Sequence, residues 1–136
     1  MAIMGGCSCR NIEIAWQTID RSLVPRACQC SFCTKNNARY VSKSGTRVNV
    51  SVRKPALHQQ TKLGSEQALF HSCTHCGDLV LVTAQLDDTR YGAVNAAALR
   101  SPEPFAKPIE VDYSGDTAET KVQRWRDNWC YPVVFN

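Results

Sequence analysis

Seven of the eight cysteines in this 136-residue chain fall into three tight clusters. They are Cys7 and Cys9 in "CSC", Cys28, Cys30 and Cys33 in "CQCSFC", and Cys73 and Cys76 in "CTHC"; Cys130 stands alone. Thiolate is the preferred ligand of structural zinc, which takes four donors in a tetrahedron. Cys73-x-x-Cys76 followed at once by Gly77 is the pattern of a zinc knuckle, because glycine permits the turn that brings backbone N–H groups toward sulfur. Seven thiolates divide as four plus three. Two short pairs, Cys7 with Cys9 and Cys73 with Cys76, can close one tetrahedral site, and a site closed by protein is structural. The local trio Cys28, Cys30 and Cys33 then holds a second zinc with one position open, where a metal can bind water or a substrate thiol.

Other arrangements of the same residues are possible. Cys130, His58, His71 or His75 can supply a fourth ligand to the trio and make the second site structural too. A lone cysteine between Trp129 and Tyr131 also suits a small buried apolar position. Iron–sulfur ligation is disfavoured because cluster spacings usually differ from these. "MAIMGG" lacks the basic start and apolar run of a secretory leader. No apolar stretch approaches the roughly 18 residues of a membrane span. The expectation is therefore a cytoplasmic protein with no membrane partner, and in a reducing compartment so many thiols favour metal over disulfides.

The net charge of +4 is modest but unevenly placed. No acidic residue occurs between Asp20 and Glu66, an interval that carries Arg21, Arg26, Lys35, Arg39, Lys43, Arg47, Arg53, Lys54 and Lys62. Such a run is often a solvated face. It also surrounds Cys28, Cys30 and Cys33, where positive charge favours thiolates and attracts anionic ligands. Seven thiolates and two zinc dications bring the formal charge to about +1, so the basic interval offsets the metal–sulfur centres. Nucleic acid is not an expected partner, since no aromatic reading face or known binding motif accompanies the charge.

The elements that must position these clusters are mostly strands. "IEIAW" (12–16) and "RVNVSV" (47–52) alternate apolar and polar residues. "QALFHS" (67–72) and "LVLVTA" (79–84) flank Cys73 and Cys76 as two strands joined by a knuckle. "YGAVNAAAL" (91–99) is ambiguous, "SPEPFAKP" (101–108) is irregular or extended because of its prolines, and "IEVDY" (109–113) is a candidate last strand. Only the tail reads as helix. Asp116 is the expected N-cap with Glu119 three residues on, and Val122, Trp125 and Trp129 follow at helical spacing, suited to packing on a sheet. The length fits one domain, residues 1–136.

"GGCSC", "CQCSFCTK", "CTHCGD" and "RWRDNW" together resemble the glutathione-dependent formaldehyde-activating enzyme family over roughly residues 5–132. The resemblance implies a mainly β fold, a β-tent of antiparallel sheets around zinc with a short C-terminal helix. It implies two zinc ions per chain, a structural one on Cys7, Cys9, Cys73 and Cys76 and a catalytic one on Cys28, Cys30 and Cys33. It further implies carbon–sulfur lyase activity on a glutathione or other thiol adduct of a small aldehyde such as formaldehyde. Lys35 and Arg39 are candidates to meet the carboxylates of glutathione. The alternative reading is a non-catalytic zinc module for a protein or a small thiol. Arg10, Thr34, His71 and Ser72 stand where the family pattern usually has other residues.

Overall fold

A computed structural model of the protein describes residues 2–18, 22–29, 31–62, 68–100, 105–112 and 115–136. Over the described residues the protein is mainly β, with 45% strand and 18% helix. In chain order the elements are β1 (Ile3–Gly6), β2 (Ile12–Trp16), β3 (Arg26–Cys28), α1 (Ser31–Lys35), β4 (Tyr40–Val41), β5 (Val48–Val52), β6 (His58–Lys62), β7 (Ala68–Cys73), β8 (Leu79–Leu86), β9 (Thr89–Asn95), β10 (Ile109–Val111), α2 (Ala118–Asn128) and β11 (Val133–Phe135). Two sheets result, one in the order β1-β2-β5-β11 and the other in the order β10-β3-β4-β9-β8-β7-β6.

The alternating segments become the strands they predict. Ile12, Ile14 and Trp16 of β2 and Val48 and Val50 of β5 turn one face inward, in antiparallel register with Ile14 opposite Val50. They meet Val41, Leu81 and Val94 of the second sheet in one apolar cluster, so this core draws on both sheets. "LVLVTAQL" is buried at every position but Gln85, as expected of a central strand covered on both faces. Tyr40, Phe70, Val82 and Ala93 form a second cluster with Trp125 and Trp129 of the C-terminal helical segment and Cys33 of α1. The two tryptophan rings stack with centroids 4.8 Å apart. Each such side chain contributes on the order of 2–3 kcal/mol when fully buried, which is why the tail docks rather than frays.

Two local expectations are corrected and one ambiguous segment is resolved. The cap of α2 is Thr117 rather than Asp116: Thr117 accepts from the Thr120 N–H at 3.1 Å, and the Thr120 hydroxyl accepts from the Thr117 N–H at 3.0 Å. Asp116 instead pairs with Arg124, one charge satisfying another, which leaves the cap to its neighbour. "IEVDY" contributes β10, but it is not the last strand. β10 lies parallel to β3, and β11 closes the chain parallel to β5. The sheets are thus mixed, mostly antiparallel with two parallel additions. "YGAVNAAAL" resolves into β9 and a 3-10 turn at Ala96–Ala98, divided by Asn95, whose side chain accepts from the Ala97 N–H and donates to the Leu79 carbonyl. Of "SPEPFAKP", residues 101–104 lie outside the described residues, and 105–108 form no regular element. Among the described residues, no helix is long and apolar enough to cross a membrane.

Candidate metal centre

Two hairpins, one from each sheet, carry Cys7, Cys9, Cys73 and Cys76. In the β1–β2 hairpin the Cys7 N–H donates to the Ile12 carbonyl at 2.9 Å, and the Ile12 N–H donates to Cys7 Sγ at 3.3 Å. The loop turns through Arg10 at φ 65°, a left-handed conformation more often taken by glycine. In the β7–β8 hairpin Cys73 ends the strand, and the Gly77 N–H donates to the Cys73 carbonyl at 2.7 Å. Gly77 has φ 78°, and a Cβ added there would meet nothing within 4 Å. Backbone conformation, not crowding, therefore selects glycine at this position.

The structure brings Cys7, Cys9, Cys73 and Cys76 together, with all four sulfurs within 4.8 Å of one another. Cys7 and Cys9 are 3.7 Å apart at sulfur, and Cys9 and Cys73 are 3.5 Å apart. These separations are far beyond the roughly 2.05 Å of a disulfide. They match the edge of about 3.8 Å that a zinc–sulfur bond of about 2.3 Å sets in a tetrahedron. Four sulfurs converging from separate sheets, with no bond among them, fit a zinc ion well.

Burial and backbone N–H groups set these thiols apart in acidity. Burial pushes the Cys7 thiol up to about 12. Burial acts in the same direction at Cys73, but there it is outweighed by the N–H groups of Cys76 and His75 and by neighbouring thiols, which bring Cys73 down to about 7. A bound dication deprotonates a coordinating thiol outright, so such a set becomes compatible with burial once metal neutralises it.

Asp78 ties the two hairpins together, and Arg100 braces the β1–β2 hairpin from a distant part of the chain. Asp78 Oδ2 accepts from the Ser8 N–H at 2.7 Å and from the Ser8 hydroxyl, and it lies 3.6 Å from Cys76 Sγ. The Ser8 hydrogen bonds hold the Asp78 carboxyl below its usual range. Arg100 donates to the carbonyls of Gly5 and Cys7 at 3.0 and 3.3 Å. A hint of Asp78 lay in "CTHCGD", directly after the knuckle glycine. Nothing in the sequence linked Arg100 to Cys7, 93 residues away.

The second cluster is elsewhere in the fold. Cys28 lies at the end of β3 and Cys33 in α1, both against the apolar cluster that contains Trp125 rather than the one that contains Cys7 and Cys73. Cys33 is buried, with Sγ 3.1 Å from the Tyr40 hydroxyl. Cys30 lies outside the described residues. Among the described residues, the four-cysteine cluster is the group of three or more potential ligands that comes together. His71 has both ring nitrogens engaged, with His58 Nε2 at 2.8 Å and the Thr83 hydroxyl at 2.7 Å. Burial pushes His71 down to about 3, so it is neutral across the physiological range. His75 is exposed. Cys130 is fully buried in the inter-sheet core. Lys35 and Arg39 are both exposed, and Arg39 contacts the Asn37 side chain.

The family model described as glutathione-dependent formaldehyde-activating enzyme matches residues 2–115. Among solved structures, the crystal structure of a Rhodobacter sphaeroides protein is similar at 25% identity and a TM-score of 0.58, covering 75% of this chain and 92% of that one. No curated protein matches the chain.

Proposed function

We propose that this chain, which belongs to the glutathione-dependent formaldehyde-activating enzyme family, is a carbon–sulfur lyase that joins and parts a thiol and a small aldehyde. Glutathione and formaldehyde are the pair that the family description names. One observation carries this reading: the four sulfurs of Cys7, Cys9, Cys73 and Cys76 gather without help from Cys28 or Cys33, which pack in a different cluster. On that division Cys28, Cys30 and Cys33 are left to hold a metal of their own, one ligand short of a closed tetrahedron. A zinc bound by those three residues supplies positive charge that makes a substrate thiol more acidic.

The chain's own residues hold that site in place. Cys28 is fixed by the β3 backbone, in register with Val111. Cys33 is fixed by α1 and by its contact with the Tyr40 hydroxyl, and Tyr40 sits in register with Arg26 on the other side of β3. In the forward reaction a bond forms between the thiol sulfur and the aldehyde carbon. The carbonyl π pair moves to oxygen, which takes up the proton lost by the thiol. The reverse reaction breaks the same carbon–sulfur bond and returns the proton. Neither direction needs an oxidant or a reductant.

The test is exchange between free formaldehyde and its glutathione adduct, read by nuclear magnetic resonance on an equilibrated mixture. The zinc-loaded protein at micromolar concentration is expected to accelerate exchange at least about tenfold over buffer, a small demand on a catalyst. An unchanged exchange rate alongside measurable glutathione binding would leave a thiol-binding zinc module in place of the lyase.

A further inference from the structure

A pocket of about 400 Å³ opens at the start of β3, with Arg26, Ser42, Lys43, Asp127, Val24 and Ile109 in its lining. Three features set it apart from ordinary surface. The first is its place in the sheet. Residues two apart on a strand face the same way, so Arg26 shares a face with Cys28, about 7 Å along β3. The partners of Arg26 in the neighbouring strands are Ile109 and Tyr40, and partners in register share a face. Tyr40 reaches Cys33 on that face. The pocket and the two described cysteines therefore lie along one strip of sheet.

The second feature is charge. One nitrogen of the Arg26 guanidinium donates to the Ser42 hydroxyl at 2.6 Å. Among the described residues, the ion pairs join other side chains, namely Arg53 with Glu13, Arg124 with Asp116 and Arg126 with Asp87. A guanidinium carries five N–H donors in a planar fork that matches a carboxylate. The hydroxyl orients the Arg26 fork without neutralising it. Lys43 adds a second cation to the lining, and Asp127, which accepts from Gln123 at 2.9 Å, adds an anion. The third feature is apolar. Among the described residues, the large hydrophobic side chains left exposed are Met4, Val24 and Ile109, and two of these three line this pocket. A lining with cations, an anion and uncovered aliphatic groups suits a small zwitterion with an apolar stem.

We infer that this pocket selects amino-acid-derived thiols, and that Arg26 receives a substrate carboxylate while the thiol points to Cys28 and Cys33. The inference rests on the lyase reading, because it needs a thiol at that cluster. It replaces Lys35 and Arg39, nominated on sequence proximity, with a residue chosen by strand register.

Binding by titration calorimetry to the zinc-loaded protein tests it with three probes: glutathione, glutathione diethyl ester with both carboxylates blocked, and uncharged 2-mercaptoethanol. Wild type is expected to bind glutathione roughly 10- to 100-fold more tightly than the diester, the range for a hydrogen bond to a charged group. Arg26→Gln is expected to remove that preference while its affinity for the diester and for 2-mercaptoethanol stays within about twofold, and Arg26→Lys, a point charge without the fork, to recover part of it. If Arg26→Gln fails to fold, Arg26→Lys alone decides, by a preference reduced or unchanged. Wild type binding the acid and the ester equally, or Arg26→Gln keeping the full preference, overturns the pocket assignment and leaves the lyase reading standing. Wild type binding none of the three thiols overturns both.

Discussion

Replacing Cys73 with serine is expected to lower the melting temperature by about 15 °C or more and to cost one zinc per chain. The magnitude follows from comparing two losses. A serine hydroxyl left in a buried position costs roughly 1–3 kcal/mol on its own. Binding of a structural zinc contributes about 10–16 kcal/mol in small zinc domains, as much as or more than the net stability of most domains. Cys73 is 1% exposed, and its sulfur sits among those of Cys7, Cys9 and Cys76. The variant therefore forfeits the crosslink between the β1–β2 and β7–β8 hairpins, not merely one contact. At roughly 4 °C per kcal/mol for a chain of this size, a loss of several kcal/mol gives the stated shift. Wild-type protein stripped of the same zinc should melt near the variant. A melting temperature for Cys73→Ser within about 5 °C of wild type would mean that hydrogen bonds such as Ser8 to Asp78 join the sheets without metal.

The opposite profile is expected for Cys28→Ser. Exchange between formaldehyde and its glutathione adduct should return to the uncatalysed rate, while the melting temperature changes by no more than about 5 °C. Cys28 is half-buried at the end of a three-residue strand, so an isosteric hydroxyl there disturbs little packing. Loss of one donor from a three-cysteine set leaves too few ligands for stable binding, and zinc content should fall from about two per chain to about one. Structure and chemistry are then separable in two single substitutions. Equal destabilisation by Cys28→Ser and Cys73→Ser would contradict this assignment of roles. Full exchange activity in Cys28→Ser would move the chemistry away from this cluster.

Several of the longer elements were legible because burial shapes their sequence, though β6 and the seven-residue β9 were not read as strands. β2, β5, β7 and β8 each present apolar residues at the spacing their faces require, and Val122, Trp125 and Trp129 repeat as a helix docked on a sheet does. Cys7, Cys9, Cys73 and Cys76 were legible as two short pairs because turn geometry fixes local ligand spacing. What escaped was everything decided by distant pairing. β3 and β11 are three residues each and β4 is two, too short to carry a period; "IEVDY" was readable as a strand, but its parallel pairing with β3 was not, nor was that of β11 with β5. Without β3 there was no way to see that Arg26 faces the same way as Cys28, or that Tyr40 pairs with Arg26. The Ser8–Asp78 link spans 70 residues and leaves no local mark on either partner. Asp116 was the reasonable cap until Arg124, one helix face away, claimed its carboxylate.

Zinc released from the native protein to a colorimetric chelator, with tryptophan fluorescence recorded alongside, tests the division of cysteines most directly. Trp125 and Trp129 report the sheet-packed helix and Trp16 the inter-sheet core. The expected result is about two zinc per chain leaving in two phases. The fast phase leaves the folded tryptophan signal in place apart from a local change at Trp125 and Trp129, and the slow phase coincides with loss of the folded signal. A single zinc per chain, or two that leave together as the protein unfolds, would contradict the account.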